Sequence, residues 1–160
     1  MKLKAVEDIV EKYYNSAAFE KSAEYLVNQF HKNGIGVILD WVPAHFPRDA
    51  FGLAEFDGTC LYESSDPSRS ESQWDTYYFD FARNEVVSFL MSSAGLWLDK
   101  YHMDGLRVDA VSNLIYHNGD STKGENSGAI SFIKRFNYHL HKEYPNVMII
   151  AEDSTSYPLV

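Results

Sequence analysis

IGVILDWV, Ile35 to Val42, is the stretch on which the fold turns. Eight nearly continuous β-branched and aliphatic residues, ended by Pro43, suit a parallel strand covered on both faces, because such a strand has no solvent side to fill with polar residues. Upstream, Phe19, Ala23, Leu26, Val27 and Phe30 recur at helical spacing and stop at Asn33-Gly34, where glycine tolerates the left-handed turn that closes a helix. An earlier set, Leu3, Val6, Val10 and Tyr13, predicts another helix, so residues 1–17 read as an N-terminal helix. Downstream, residues 44–82 hold no sustained period and are rich in Asp, Ser, Pro and Gly. They predict one long loop, and loops of that length inside a compact domain are usually functional or disordered.

Beyond the loop the alternation returns. Asn84 is placed to cap a helix carrying Val86, Leu90, Ala94, Trp97 and Tyr101 on one face. A short strand over Gly105–Asp109 follows, then a polar loop around Asn118–Asn126. A third periodic set, Ala129, Ile133, Phe136 and Leu140, stops near Tyr144-Pro145, and VMIIAE, Val147 to Glu152, predicts the last strand. Three strands alternating with helices imply right-handed crossovers onto a parallel sheet, hence an α/β fold class with residues 1–160 as one domain or a part of one.

Composition narrows the partners. Fourteen basic against twenty-three acidic side chains give a formal charge of −9, which repels nucleic-acid phosphates and anionic membranes and leaves a neutral or cationic partner. The single Cys60 forms no internal disulfide. With no apolar run long enough to span a bilayer and no signal-like segment after Met1, the expectation is a cytoplasmic chain. Aromatics make up 15% of the residues; this could be core mass or flat surface for sugar rings, and composition does not separate the two.

The chemistry gathers at the strand ends. The carboxyl ends of parallel strands form one rim, so groups placed there converge on one mouth although far apart in sequence. Asp40 and His45 leave the first strand, Arg107 and Asp109 end the second, and Glu152 ends the third. Residues two apart share a face, so Arg107 points with Asp109, while Leu106 and Val108 face the helices. A guanidinium beside Asp109 favours its ionised form, whereas Glu152, preceded by Ile149, Ile150 and Ala151, is expected to keep its proton to higher pH. A carboxyl pair with separated pKa values is the equipment of retaining glycoside chemistry, in which the two groups lie about 5 to 5.5 Å apart. Taken singly, Asp109 reads as a helix cap, Glu152 as a salt-bridge partner, and Asp40 with His45 as a satisfied polar pair or metal ligands; it is the combination that points to catalysis.

These residues carry a resemblance. DWVPAH (Asp40–His45), GLRVDAV (Gly105–Val111) and AEDS (Ala151–Ser154) resemble, in order and spacing, the first three sequence regions of the α-amylase superfamily, glycoside hydrolase family 13, built on the (β/α)8 barrel. Ala44, where most amylases have Asn, and the text FGLAEFDGTCLYE, RNEVVSFL and DGLRVDAVSNLIY are similar to the 1,4-α-glucan (glycogen) branching enzymes from roughly Phe19 onward. The resemblance implies Asp109 as the nucleophile that forms a glucosyl-enzyme, Glu152 as general acid and then base, Arg107 as the residue orienting Asp109, His45 as a hydrogen-bond partner of the reacting sugar, and Asp40 in support. It implies transfer of α-1,4-glucan chains to a 6-hydroxyl, with no cofactor and no metal. Trp41 and Trp74 are the expected sugar-stacking residues, while Trp97 lies on an apolar helix face and reads as core.

The family's fourth region, a His-Asp pair after a later strand, has no counterpart here, residues 1–17 have no match in the family, and about three strands do not close an eight-stranded barrel. The chain therefore reads as an incomplete barrel with little or no turnover alone, and strands left at open edges predict self-association. Two other readings fit the same residues: an α-glucan hydrolase of the same superfamily, and a non-catalytic carbohydrate-binding remnant.

Overall fold

The computed structural model describes residues 23–158 and 160. The helix expected from Leu3 to Tyr13 lies outside the described residues. Helix α1, Ala23–Lys32, ends as its sequence dictates. Gly34 takes φ +68°, its N–H donates to His31 O at 2.9 Å, and Ile35 N–H donates to Phe30 O at 3.0 Å. This paired closure satisfies two carbonyls that the helix end would otherwise leave free.

Three parallel strands follow along the chain: β1, Ile38–Trp41; β4, Gly105–Val108; and β5, Met148–Ala151. They form one sheet in the order β1-β4-β5. Its register sets Asp40 level with Arg107 and Ile150, and Trp41 level with Val108 and Ala151. The crossovers carry α3, Asn84–Asp99, and α5, Ser127–Glu143. The side chain of Asn126 caps α5 by accepting the Ala129 N–H at 3.2 Å. Asn84 proves to be the first residue of α3 rather than its cap, which is Arg83 and makes no side-chain cap bond.

Alternation then sorts the sheet. Leu106 and Val108 are buried under the helices, together with Val86, Leu90 and Ala94 of α3 and Phe132, Phe136 and Leu140 of α5. Trp41, expected to stack on sugar, belongs to this core instead. It is only 6% exposed, its ring lies parallel to that of Phe136 at 4.9 Å, and its indole N–H donates to Ser93 Oγ at 3.2 Å. Odd-even placement in β1 accounts for this, because Trp41 follows Asp40 and so points to the helix side.

Coverage on both faces, expected from IGVILDWV, is met on one. The other face presents Ile38, Met148 and Ile150 at 42, 52 and 40% exposure, beside Asp40 and Arg107. Gly105, on the same face, has no room for a side chain, since a Cβ there would sit 2.6 Å from Met148 O; this close approach lets β5 pair with β4.

The long stretch over residues 44–82 is not one structureless loop. It holds β2, His45–Pro47, a single-turn helix α2, Pro67–Ser70, and β3, Thr76–Tyr78, with β2 and β3 paired antiparallel. Strands of three residues are too short to show a period, so the sequence concealed them. Phe46, Tyr62 and Phe79 fasten this hairpin to the main core, with Phe46 and Phe79 rings 4.6 Å apart and Tyr62 edge-on to Phe46 at 6.4 Å. A further short helix, α4, Val111–Ile115, follows β4 immediately.

Candidate active site

Four of the expected polar groups meet around the Arg107 guanidinium. It pairs with Asp40, approaches Asp109 Oδ1 at 3.3 Å and reaches Glu152 Oε1 at 3.1 Å. His45 completes the group from the first residue of β2, its Nε2 3.8 Å from Asp109 Oδ2. Strand geometry makes the convergence possible. Asp40 and Arg107 are neighbours in register, and Asp109 and Glu152 are each the first residue beyond their strand. Their backbones are fastened alike: Asp109 N–H donates to Trp41 O, and Glu152 N–H to Val108 O, each at 2.9 Å.

The second wall comes from the hairpin. Trp74, 44% exposed, lies with its ring 4.8 Å from that of His45. His45 Nδ1 is 3.1 Å from Thr76 Oγ1, which is 2.5 Å from Ser72 Oγ. The sequence reading missed Thr76 and Ser72, since neither carries a signal until β2 and β3 are paired. It also missed Ala110. This residue adopts φ 51°, ψ 45°, a left-handed conformation that costs a side-chain-bearing residue about 1–2 kcal/mol. In that conformation its N–H donates to Glu152 Oε2 at 2.9 Å, and Val111 N–H to Glu152 O at 3.0 Å. Backbone strain beside a carboxyl pair is typical of a functional site. Nothing in an alanine announces it.

The electrostatics reverse the expected order of the two acids. Burial pushes Asp109 above the usual aspartate range, and the neighbouring Glu152 adds to the shift against the opposing pull of Arg107. Glu152 is lowered, first by the Ala110 N–H and then by Asp109, with Arg107 contributing. The glutamate follows an apolar strand but stands beyond its end, where donors reach it and water does too. The two carboxyls influence each other's titration and so titrate as a pair, with Asp109 held above and Glu152 below the usual carboxylate range. His45 is lowered by burial, against the opposing charge of Asp109, so it is a neutral imidazole at neutral pH. Arg107 is raised chiefly by its hydrogen bond to Asp40.

Comparison with known proteins now bears on this arrangement. The 1,4-alpha-glucan branching enzyme GlgB of Fusobacterium nucleatum subsp. nucleatum is 51% identical over 136 residues, which cover 85% of this chain and 22% of that protein. That of Halothermothrix orenii is 52% identical over 146 residues, covering 85% and 23%, and that of Chlamydia felis 51% over 148 residues, covering 86% and 20%. Among solved structures, a "Family GH13_31 enzyme" superposes with a TM-score of 0.63 at 17% identity, covering 85% of this chain and 34% of that one. The catalytic module of the glycogen-degrading pneumococcal virulence factor SpuA gives 0.61 at 20% identity, covering 84% and 17%. At such identities the likeness concerns the fold: a parallel three-stranded sheet alternating with helices matches part of a family 13 catalytic module. A family model described as "Protein of unknown function (DUF4080)" matches residues 1–36, a range that includes the stretch for which the sequence showed no likeness to branching enzymes. Over 85% of its length, at about half identity, this chain is homologous to a segment of the 1,4-α-glucan branching enzymes, and it spans about a fifth of the length of those relatives.

Proposed function

We propose that this chain forms the part of a branching-enzyme barrel that carries the nucleophile and the acid/base, acting on α-1,4-glucans such as glycogen in the cytoplasm. The observation that carries the reading is the single guanidinium of Arg107 shared by Asp40, Asp109 and Glu152 at one rim of the sheet. Asp109 attacks the anomeric carbon of a glucan bound over Asp40, His45 and Arg107, while Glu152 gives a proton to the departing glycosidic oxygen. Neutral His45, steadied through Nδ1 by Thr76, hydrogen-bonds a hydroxyl of that sugar. In the second step Glu152 takes the proton of a 6-hydroxyl, whose oxygen displaces Asp109 and creates an α-1,6 branch. The scheme requires a protonated Glu152 and an ionised Asp109 at the first step, against the direction of both shifts in the free site, so a bound sugar has to bias the pair towards that form. Trp74, on the rim beside His45, supplies a face for stacking.

Grafting residues 23–158 into the Fusobacterium nucleatum relative, in place of the homologous segment, tests the reading. The graft should convert amylose to a product with α-1,6 linkages detectable by proton NMR. Asp109→Ala in the graft should lower the rate by at least about 10⁴-fold, the scale of removing a covalent nucleophile. New reducing ends without branches would instead assign a hydrolase, and glucan binding with no turnover a carbohydrate-binding remnant.

The isolated chain carries a second consequence, self-association through the sheet. Both outer strands, β1 and β5, are unpaired on one side among the described residues, and the face carrying Ile38, Met148 and Ile150 is uncovered. A second copy of the chain pairs the edges and buries that apolar strip. Sedimentation should show concentration-dependent dimers; a monomer up to millimolar concentration overturns the proposal.

A further inference from the structure

Asn113 of α4 and Tyr78 of β3 are both buried, and the Asn113 side-chain N–H donates to the Tyr78 hydroxyl oxygen at 2.8 Å. The amide is held from two further sides. Its Oδ1 accepts the Ser112 hydroxyl at 3.2 Å, and Gly119 lies so close that a Cβ there would sit 3.0 Å from either polar atom of the amide. Burial of such a group costs free energy unless its bonds are made, so the Tyr78 hydroxyl fixes where Asn113 can stand. The bond joins the two halves of the rim. On one side, Asn113 N–H donates to Ala110 O at 2.9 Å and closes the left-handed turn whose Ala110 N–H reaches Glu152 Oε2. On the other, Tyr78 is level with His45 in the β2–β3 register, and directly opposed residues of an antiparallel pair present their side chains on one face. His45 in turn approaches Asp109. Contacts therefore run from Glu152 through Ala110, Asn113, Tyr78 and His45 to Asp109, and Arg107 closes the ring by holding both acids.

We propose that Asn113 and Tyr78 are positioning residues, whose hydrogen bond locks the β2–β3 hairpin to the Ala110 turn and so holds His45 and Glu152 in one geometry about Asp109. The assignment rests on the transfer reading above, in which those three side chains meet the sugar, and adds to it the pair that keeps them aligned. The fold shows why a lock is needed. β2 and β3 form a sheet of their own, so no ladder bond ties His45 to the parallel strands that lead into Asp109 and Glu152. Phe46, Tyr62 and Phe79 fasten the hairpin by apolar packing, which is non-directional and leaves its tilt open. A hydrogen bond has a preferred length and angle. Made between a residue opposite His45 and a residue whose own N–H closes the Ala110 turn, it transmits that preference to both walls at once.

NMR of the full chain reads the lock without any saccharide. Tyr78→Phe removes one oxygen, and it should displace the Ala110 amide resonance and raise the titration of Glu152, which faces Asp109, Arg107 and the Ala110 N–H. The double variant Tyr78→Phe/Asn113→Leu leaves no orphaned amide, so its melting temperature should return towards that of the parent while both displacements persist. If the Glu152 titration returns together with stability, or if Tyr78→Phe never moves it, the pair only fills the core and the proposal falls. In the graft described above, Tyr78→Phe should lower kcat at least about tenfold with KM within about twofold, the pattern of misaligned rather than missing groups. An unchanged kcat in a graft that does form branches overturns the lock and leaves the transfer reading standing. A parent graft that forms no branches overturns the transfer reading, and the titration of Glu152 then decides the lock by itself.

Discussion

The two faces of the sheet are made from the same three strands and read as opposites. On the helix side, Trp41, Leu106 and Val108 interlock with α3 and α5 and exclude water. On the other, Asp40 and Arg107 carry charge next to Ile38, Met148 and Ile150, which stand partly in solvent. One-residue alternation therefore divides the labour: along each strand one residue holds the fold together and its neighbour is kept for chemistry and contact. The difference teaches that stability and site can be perturbed separately, although their residues are adjacent in sequence.

The sharpest way to break that separation is through the core. Phe132, fully buried between Phe81 and Phe136, should cost about 3–5 kcal/mol when replaced by alanine, read from chemical denaturation, with the whole sheet lost in one transition. A smaller loss with native-like glucan response would show that the covered face is not what holds the rim.

On the open side the sign reverses. Burial and the Glu152 charge raise Asp109, so its contribution to stability is full below the unfolded value of about 3.9 and is lost as pH rises through the folded value. At neutral pH the ionised group strains the site. Asp109→Asn should therefore stabilise the chain by about 1 kcal/mol at pH 7, in the range of substitutions that relieve functional strain, and the gain should vanish in melts at low pH. Glu152→Gln removes one source of the same shift, so the Asp109 carboxyl should titrate lower in ¹³C NMR; an unchanged or higher value would contradict the coupling between the two acids.

The smallest effect belongs to the uncovered apolar strip. Ile150→Thr should change stability by no more than about 0.5 kcal/mol, yet weaken dimerisation in sedimentation. A large loss of stability would mean that the face is covered in solution.

How much of this was legible in the sequence follows from the range of each signal. The β-branched and aliphatic run at Ile35–Val42, the helical periods of α3 and α5, and the Gly34 stop are local, and each of these elements appears within a few residues of its expected bounds. The carboxylates, Arg107 and His45 were legible because strand ends converge. The β2–β3 hairpin was not, because three-residue strands gain their identity only from each other. Trp41 was misread for a related reason: an aromatic at a strand end points to sugar or to core depending on one step of alternation, and its neighbour Phe136 is far away in the chain.

By itself, the sequence determined the α/β order, the three carboxylates that gather on Arg107 and the likeness to branching enzymes, since each is written in spacing or in motif. Tertiary structure alone decided that Asp109 is raised and Glu152 lowered from their ordinary ranges, that Ala110 bends left-handed to bond Glu152, and that Ser72 and Thr76 hold Trp74 and His45 together. Those outcomes depend on burial and on distances between residues tens of positions apart. Only the folded backbone sets them.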